Sequence, residues 1–197
     1  MRPNPHGGGD GPGPGAGGTG AGPGATMAVA GCFYTLLVAA ALVWLSLRDR
    51  LPSIADAAIG DHGPLAAAGG GLILGLVGAW LLATASRRFA SVRICESKIA
   101  GVLGAVTDRQ VLVLATSSAI AEELFFRHAV QDALGPFAAV AFYVMLNTGP
   151  GFWVWTLVAL VAGTVFSALV HLGLGLLSAT TAHAIVNYLT LRRLVSP

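Results

Sequence analysis

The sequence predicts an all-α fold, a polytopic membrane bundle of about six transmembrane helices, from three observations. Hydrophobic residues make up 55% of the chain and charged residues 10%, with a mean hydropathy of +0.75, a balance outside that of soluble domains. Apolar runs approaching the roughly 20 residues that cross about 30 Å of hydrocarbon account for most of the sequence after Gly24. The basic residues flank these runs instead of forming a patch, so the formal net charge of +2 reports topology and offers no footing for nucleic acid.

Residues 1–24 are almost wholly Gly, Pro and small polar side chains, with too little apolar area to offset ordering entropy, and are expected to form a disordered tail. They lack the short apolar core and cleavage site of a secretory signal. The first apolar run, 25–47, is therefore expected to be an uncleaved membrane helix, closing at Arg48, Asp49 and Arg50 with Trp44 at the interface. The second run, 64–86, stops at Arg87 and Arg88, and its Gly69-Gly70-Gly71 and Gly75-x-x-Gly78 stretches offer a smooth surface to a neighbouring helix. Residues 89–109 mix Arg93, Glu96, Lys98 and Asp108 with Ile, Val and Leu and read as an amphipathic interfacial segment.

The third span, 111–133, carries Glu122, Glu123 and Arg127, and Gly135-Pro136 then breaks the chain. A short fourth span, 137–147, ends at the turn signal Asn147-Thr148-Gly149-Pro150-Gly151, and the fifth and sixth are 152–174 and 176–194, with Arg192 and Arg193 near the chain's end. An even number of spans puts both termini on one side. With the tail inside, the cytoplasmic segments hold every basic residue except Arg48, Arg50 and Arg127, as the positive-inside rule prefers. The expected organisation is thus a tail (1–24), two N-terminal spans with a basic amphipathic loop (25–110), and a helical core (111–197) that carries the chemistry.

Ten arginines against one lysine, with abundant Ala, Gly and Val, point to a GC-rich genome and so to a bacterial plasma membrane. Cys32 and Cys95 fall in the first apolar run and in the basic loop, so neither a disulfide nor a thiolate metal site is expected.

Ionisable side chains inside hydrocarbon are costly unless paired or hydrated, which makes Glu122 and Glu123 the leading functional candidates. On a helix Arg127 follows Glu123 by four residues and can neutralise it, whereas Glu122 shares its face with Ser118 and Phe126 and has no cation of its own. Two carboxylates in unequal environments suit one for structure and the other for general-base work. The same pair could instead lock helices together as an ion cluster. His183 and Asn187, also four residues apart, point into the bundle together and supply two neutral donors of the kind that hold an oxyanion. Either could equally hydrogen-bond across a helix interface and do no more. Tyr143 and Asn147 share a face on the short fourth span, where Asn147 also suits a helix terminus. His171 reads as interfacial and His128 as serving a helix end.

In order, the EELFFR of Glu122 to Arg127 and the HAIVN of His183 to Asn187 resemble the first and last motifs, E-E-x-x-x-R and H-x-x-x-N, of the CPBP intramembrane proteases, the group that includes CAAX-processing enzymes and bacteriocin-related Abi proteins. The resemblance covers about residues 119–191. It implies peptide-bond hydrolysis within the membrane, with Glu122 activating water, Glu123 and Arg127 buttressing the site, and His183 with Asn187 forming the oxyanion hole. The family's middle motif, F-x-x-x-H, is replaced here by Tyr143-Val144-Met145-Leu146-Asn147. Asparagine can bind a water but cannot accept its proton, so His128 or His171 is a candidate substitute.

The expectation is therefore an intramembrane glutamic endopeptidase acting on a membrane-embedded or lipidated peptide, surrounded by membrane lipid and needing no cofactor. The alternative is a catalytically impaired pseudoprotease that binds a membrane partner. A metal hydrolase using His171, His183 and a glutamate lacks any H-E-x-x-H or local ligand spacing, and a transporter lacks an evident inverted repeat.

Overall fold

A computed structural model describes residues 23–195, and among these every regular element is helical. The expected disordered tail lies outside the described residues, except that Pro23 and Gly24 already belong to the first helix. Helix α1 (Pro23–Leu47) ends where Asp49 adopts φ 55° while the Arg50 N–H donates to Leu45 O at 2.8 Å and the Asp49 N–H to Ser46 O at 3.1 Å. Those crossed bonds satisfy carbonyls that the helix end would otherwise orphan. A 3-10 turn (Leu51–Ser53) and the short α2 (Ile54–Ile59) lead to α3 (Pro64–Arg88), which starts on proline, a residue with no amide hydrogen to lose there.

The expected amphipathic segment is divided by Gly104 at φ 65°. Its body is α4 (Ala90–Leu103), whereas Asp108 and Arg109 open α5 (Asp108–Glu122) behind a capping box in which the Gln110 N–H donates to Thr107 Oγ1 and the Thr107 N–H to Gln110 Oε1. After α5 the chain continues as a π-helical segment (Glu123–Val130) into α6 (Gln131–Leu146). The predicted break at Gly135-Pro136 is a reversal, with Gly135 at φ 84° and ψ 171°. Asn147 and Glu122, 25 residues apart in sequence, lie in hydrogen-bond contact, whereas a straight helix would hold them about 37 Å apart. The returning limb, residues 136–146, is about 16 Å long and covers half the hydrocarbon thickness. Helices α7 (Trp153–His171) and α8 (Gly175–Val195) complete the chain.

Among the described residues, four helices are long and apolar enough to cross a membrane: Gly24–Leu47, Pro64–Arg88, Asp108–Leu146 (which includes the reversal) and Trp153–His171. Helix α8 falls outside that set because Ser178, Thr180, Thr181, His183, Asn187 and Thr190 lower its hydropathy. It is the interior helix, packed most extensively against α3 and then α5. Gly71 and Gly75 are buried in the α3–α8 contact, where a Cβ on Gly71 would run into Ser178 O and one on Gly75 would lie 2.8 Å from Ile185 Cβ. The glycine surface expected on the second span is this seam.

The bundle is apolar outside and polar within. Leu65 and Phe137 are 89% and 91% exposed, whereas Ser118, Glu122, Glu123, Arg127, Ser178 and His183 are buried, the arrangement that suits a lipid solvent. Contacts also sort its two ends. At one, Thr26 Oγ1 donates to Val102 O at 3.3 Å, while Ser86 Oγ and Arg193 both donate to Glu96, which gathers the start of α1 and the ends of α3 and α8 around α4. At the other, Arg48 and Arg50 clamp Asp132 at 2.8 and 2.7 Å, and the Asp61 N–H donates to Gly173 O at 2.7 Å.

Candidate active site

The π segment brings Glu123 and Arg127 together at full burial, with Arg127 Nε 3.1 Å from Glu123 Oε2. The guanidinium also lies over the Tyr143 ring, 4.9 Å from its centroid, a cation–π contact in a dry interior. None of its three nitrogens has an aligned hydrogen-bond partner among the described residues, so Glu123 and Tyr143 are its main compensation. The other oxygen of Glu123 lies 2.8 Å from His183 Nδ1. A carboxylate already facing Arg127 accepts there, which places an imidazole proton on Nδ1.

His183 Nε2 lies 4.0 Å from Glu122 Oε2, both side chains buried. His183 is held in orientation by stacking on Phe166, ring centroids 5.0 Å apart and planes within 18°. Asn147 terminates α6 and donates its amide to both Tyr143 O at 3.0 Å and Glu122 Oε2 at 3.4 Å. It therefore both ends the helix and contacts Glu122. Asn187 donates one amide hydrogen to Ser118 Oγ at 3.0 Å, leaving the second N–H of its amide uncommitted.

Glu122, Asn147, His183 and Asn187 all line one cavity of about 260 Å³, and Glu123 and Arg127 stand behind it. All six candidates from the sequence thus converge on one place. His128 and His171 do not. Both line a separate basin of about 500 Å³ at the Arg50–Asp132 end, where His128 Nε2 is 3.5 Å from Ser53 Oγ. Neither lines the cavity of Glu122 and Asn147, and His171 lies away from His183, so His171, His183 and a glutamate do not come together as a ligand set. Among the described residues no cluster of His, Cys, Asp and Glu is arranged to hold a metal ion, and Cys32 and Cys95 are both free.

Sequence reasoning missed Tyr34, which reaches the cavity from α1, and the role of Phe166 as the plate beneath His183. Tyr34 carries a usable signal: a hydroxyl in mid-span, away from the interfaces where tyrosine is favoured. Because Tyr34 and Leu82 of α1 and α3 line the cavity beside residues of α5 to α8, the N-terminal helices and the core share one site. The chain matches no family model, no curated protein and no solved structure.

Proposed function

We propose that the chain is an intramembrane glutamic endopeptidase of the CPBP type, hydrolysing a peptide bond of a membrane-embedded or lipidated substrate. The observation that carries this reading is the 4.0 Å separation of Glu122 Oε2 and His183 Nε2 across one cavity, a gap that one water bridges with a hydrogen bond to each. Water held there donates both hydrogens, and its lone pair is left for the scissile carbonyl carbon. As the oxygen attacks, Glu122 takes one proton and passes it to the amine nitrogen when the C–N bond breaks; the products are a carboxylic acid and an amine.

The developing oxyanion needs donors in a water-poor site. Asn187 supplies its free amide N–H, while His183, in the neutral tautomer that accepts from the water at Nε2, orients the nucleophile. Glu123 fixes the tautomer and orientation of His183, the part a carboxylate plays behind a catalytic imidazole. The likeness of Glu122–Arg127 and His183–Asn187 to the CPBP motifs supports the roles of Glu122, Glu123 and Asn187, and gives His183 an oxyanion-hole part that would require a proton on Nε2. The basic residues gathered at the α4 end favour a cytoplasmic placement of that end, and of both termini, in a bacterial plasma membrane.

The second reading, a pseudoprotease that binds a membrane partner without cutting it, rests on Asn147, whose amide occupies Glu122 and cannot relay a proton. Substitution of Asn187 by Ala separates the two on any membrane peptide the protein cleaves. Loss of an oxyanion donor should lower kcat by about 10²–10³ with KM nearly unchanged, and a change confined to KM would reduce Asn187 to a binding contact. A cellular role that survives Glu122→Gln would favour the pseudoprotease.

A further inference from the structure

Helix α4 closes one end of the Glu122 cavity. Ile99 and Leu103 line it together with Leu191 and Leu194 of α8, and Cys95 is buried beneath the helix. On its outer side the helix and its approach carry exposed Phe89, Ile94 and Val102. Five exposed basic side chains surround these: Arg87, Arg88, Arg93, Lys98 and Arg109. The carboxylates at this end are already engaged, Glu96 by Arg193 and Asp108 by Arg192 at 3.8 Å. Among the described residues none of the five basic groups forms an ion pair with a carboxylate. A face that combines exposed apolar side chains with unbalanced positive charge matches the headgroup boundary of an anionic leaflet.

The same helix is tied to the site. Lys98 Nζ donates to Gly151 O at 3.4 Å and sits 5.5 Å from the Phe152 ring centroid. The loop it grips begins at Asn147, whose amide contacts Glu122. We propose that anionic phospholipid headgroups seat α4 on the membrane surface, and that this seating keeps the end of the cavity closed and Asn147 in place. Its consequence for catalysis rests on the peptidase reading; the lipid contact and the movement of α4 do not.

The native Cys95 reports that movement without any cleavage assay. Burial pushes its thiol above the ordinary cysteine range, which keeps it slow to react while α4 is seated. The full chain, with Cys32→Ser to leave one thiol, is reconstituted in phosphatidylcholine vesicles with and without phosphatidylglycerol, and maleimide labelling of Cys95 is followed. Labelling should be several-fold slower with phosphatidylglycerol. In native mass spectrometry the chain should retain phosphatidylglycerol over phosphatidylcholine. Replacement of Arg87, Arg88 and Arg93 by Gln should weaken that preference by about fivefold for each charge removed and make Cys95 fast in both vesicles. Equal Cys95 rates in the two vesicles for the otherwise native chain would overturn the seating of α4. Indifference to headgroup charge would overturn the lipid contact and leave the basic face to an acidic protein. Both results stand whether or not the protein proves to be a peptidase.

Discussion

Glu122 and Glu123 are adjacent in sequence yet opposite in what they can tolerate. Glu123 is the counter-charge of a buried arginine that has no aligned hydrogen bond. Glu123→Gln strands that cation and should destabilise the fold by about 3–5 kcal/mol, read as a large loss in thermal unfolding in detergent. Glu122→Gln keeps a hydrogen-bonding isostere at the cavity wall and should unfold close to the native chain; equal losses in both variants would contradict the division of roles. The pairing of Glu123 with Arg127 was legible from their four-residue spacing alone. Placement of the imidazole proton was not, because it depends on Glu123 reaching across to His183 from a different helix. Asn147→His sharpens the remaining point: an imidazole at Glu122 offers a proton acceptor that asparagine lacks, so kcat on a cleaved peptide should rise several-fold. An unchanged kcat would confine position 147 to helix termination.

The elements were legible where composition decides them. Apolar run length marked α1, α3 and α7, and the glycines of the second span marked the seam with α8. The π segment left no trace in periodicity, since one widened turn displaces only a few side chains, yet it sets the Glu123–Arg127 pair. The seam makes a graded prediction. A methyl on Gly71 meets backbone at Ser178 O, whereas one on Gly78 meets only Val186 Cγ2, at 3.0 Å. Gly71→Ala should therefore cost about 1–3 kcal/mol and Gly78→Ala distinctly less, measured as thermal midpoints; the reverse order would misplace the seam. Gly135, with φ 84°, ψ 171° and open space around its Cα, should lose about 1–3 kcal/mol as Ala, all of it from backbone strain.

Over the whole molecule, polarity is turned inward and lipid-facing surface outward, which composition had already required. What composition could not convey is that α8, a long helix too polar to join the four membrane-crossing ones, is the central one, because burial in the bundle excuses it from facing lipid. The start of α1 and the end of α8 share the α4 end, so reporter fusions at the two termini should report the same side of the membrane; opposite sides would refute this arrangement of helices. The central claim is that Glu122 performs hydrolysis without a metal. It is tested most directly by comparing, by mass spectrometry, the peptides released from membranes containing the native protein or Glu122→Gln, each with a strong chelator present. Cleavage products are expected from the native chain in the chelator and none from the variant. The same products from both, or their disappearance from the native chain on chelation, would contradict it.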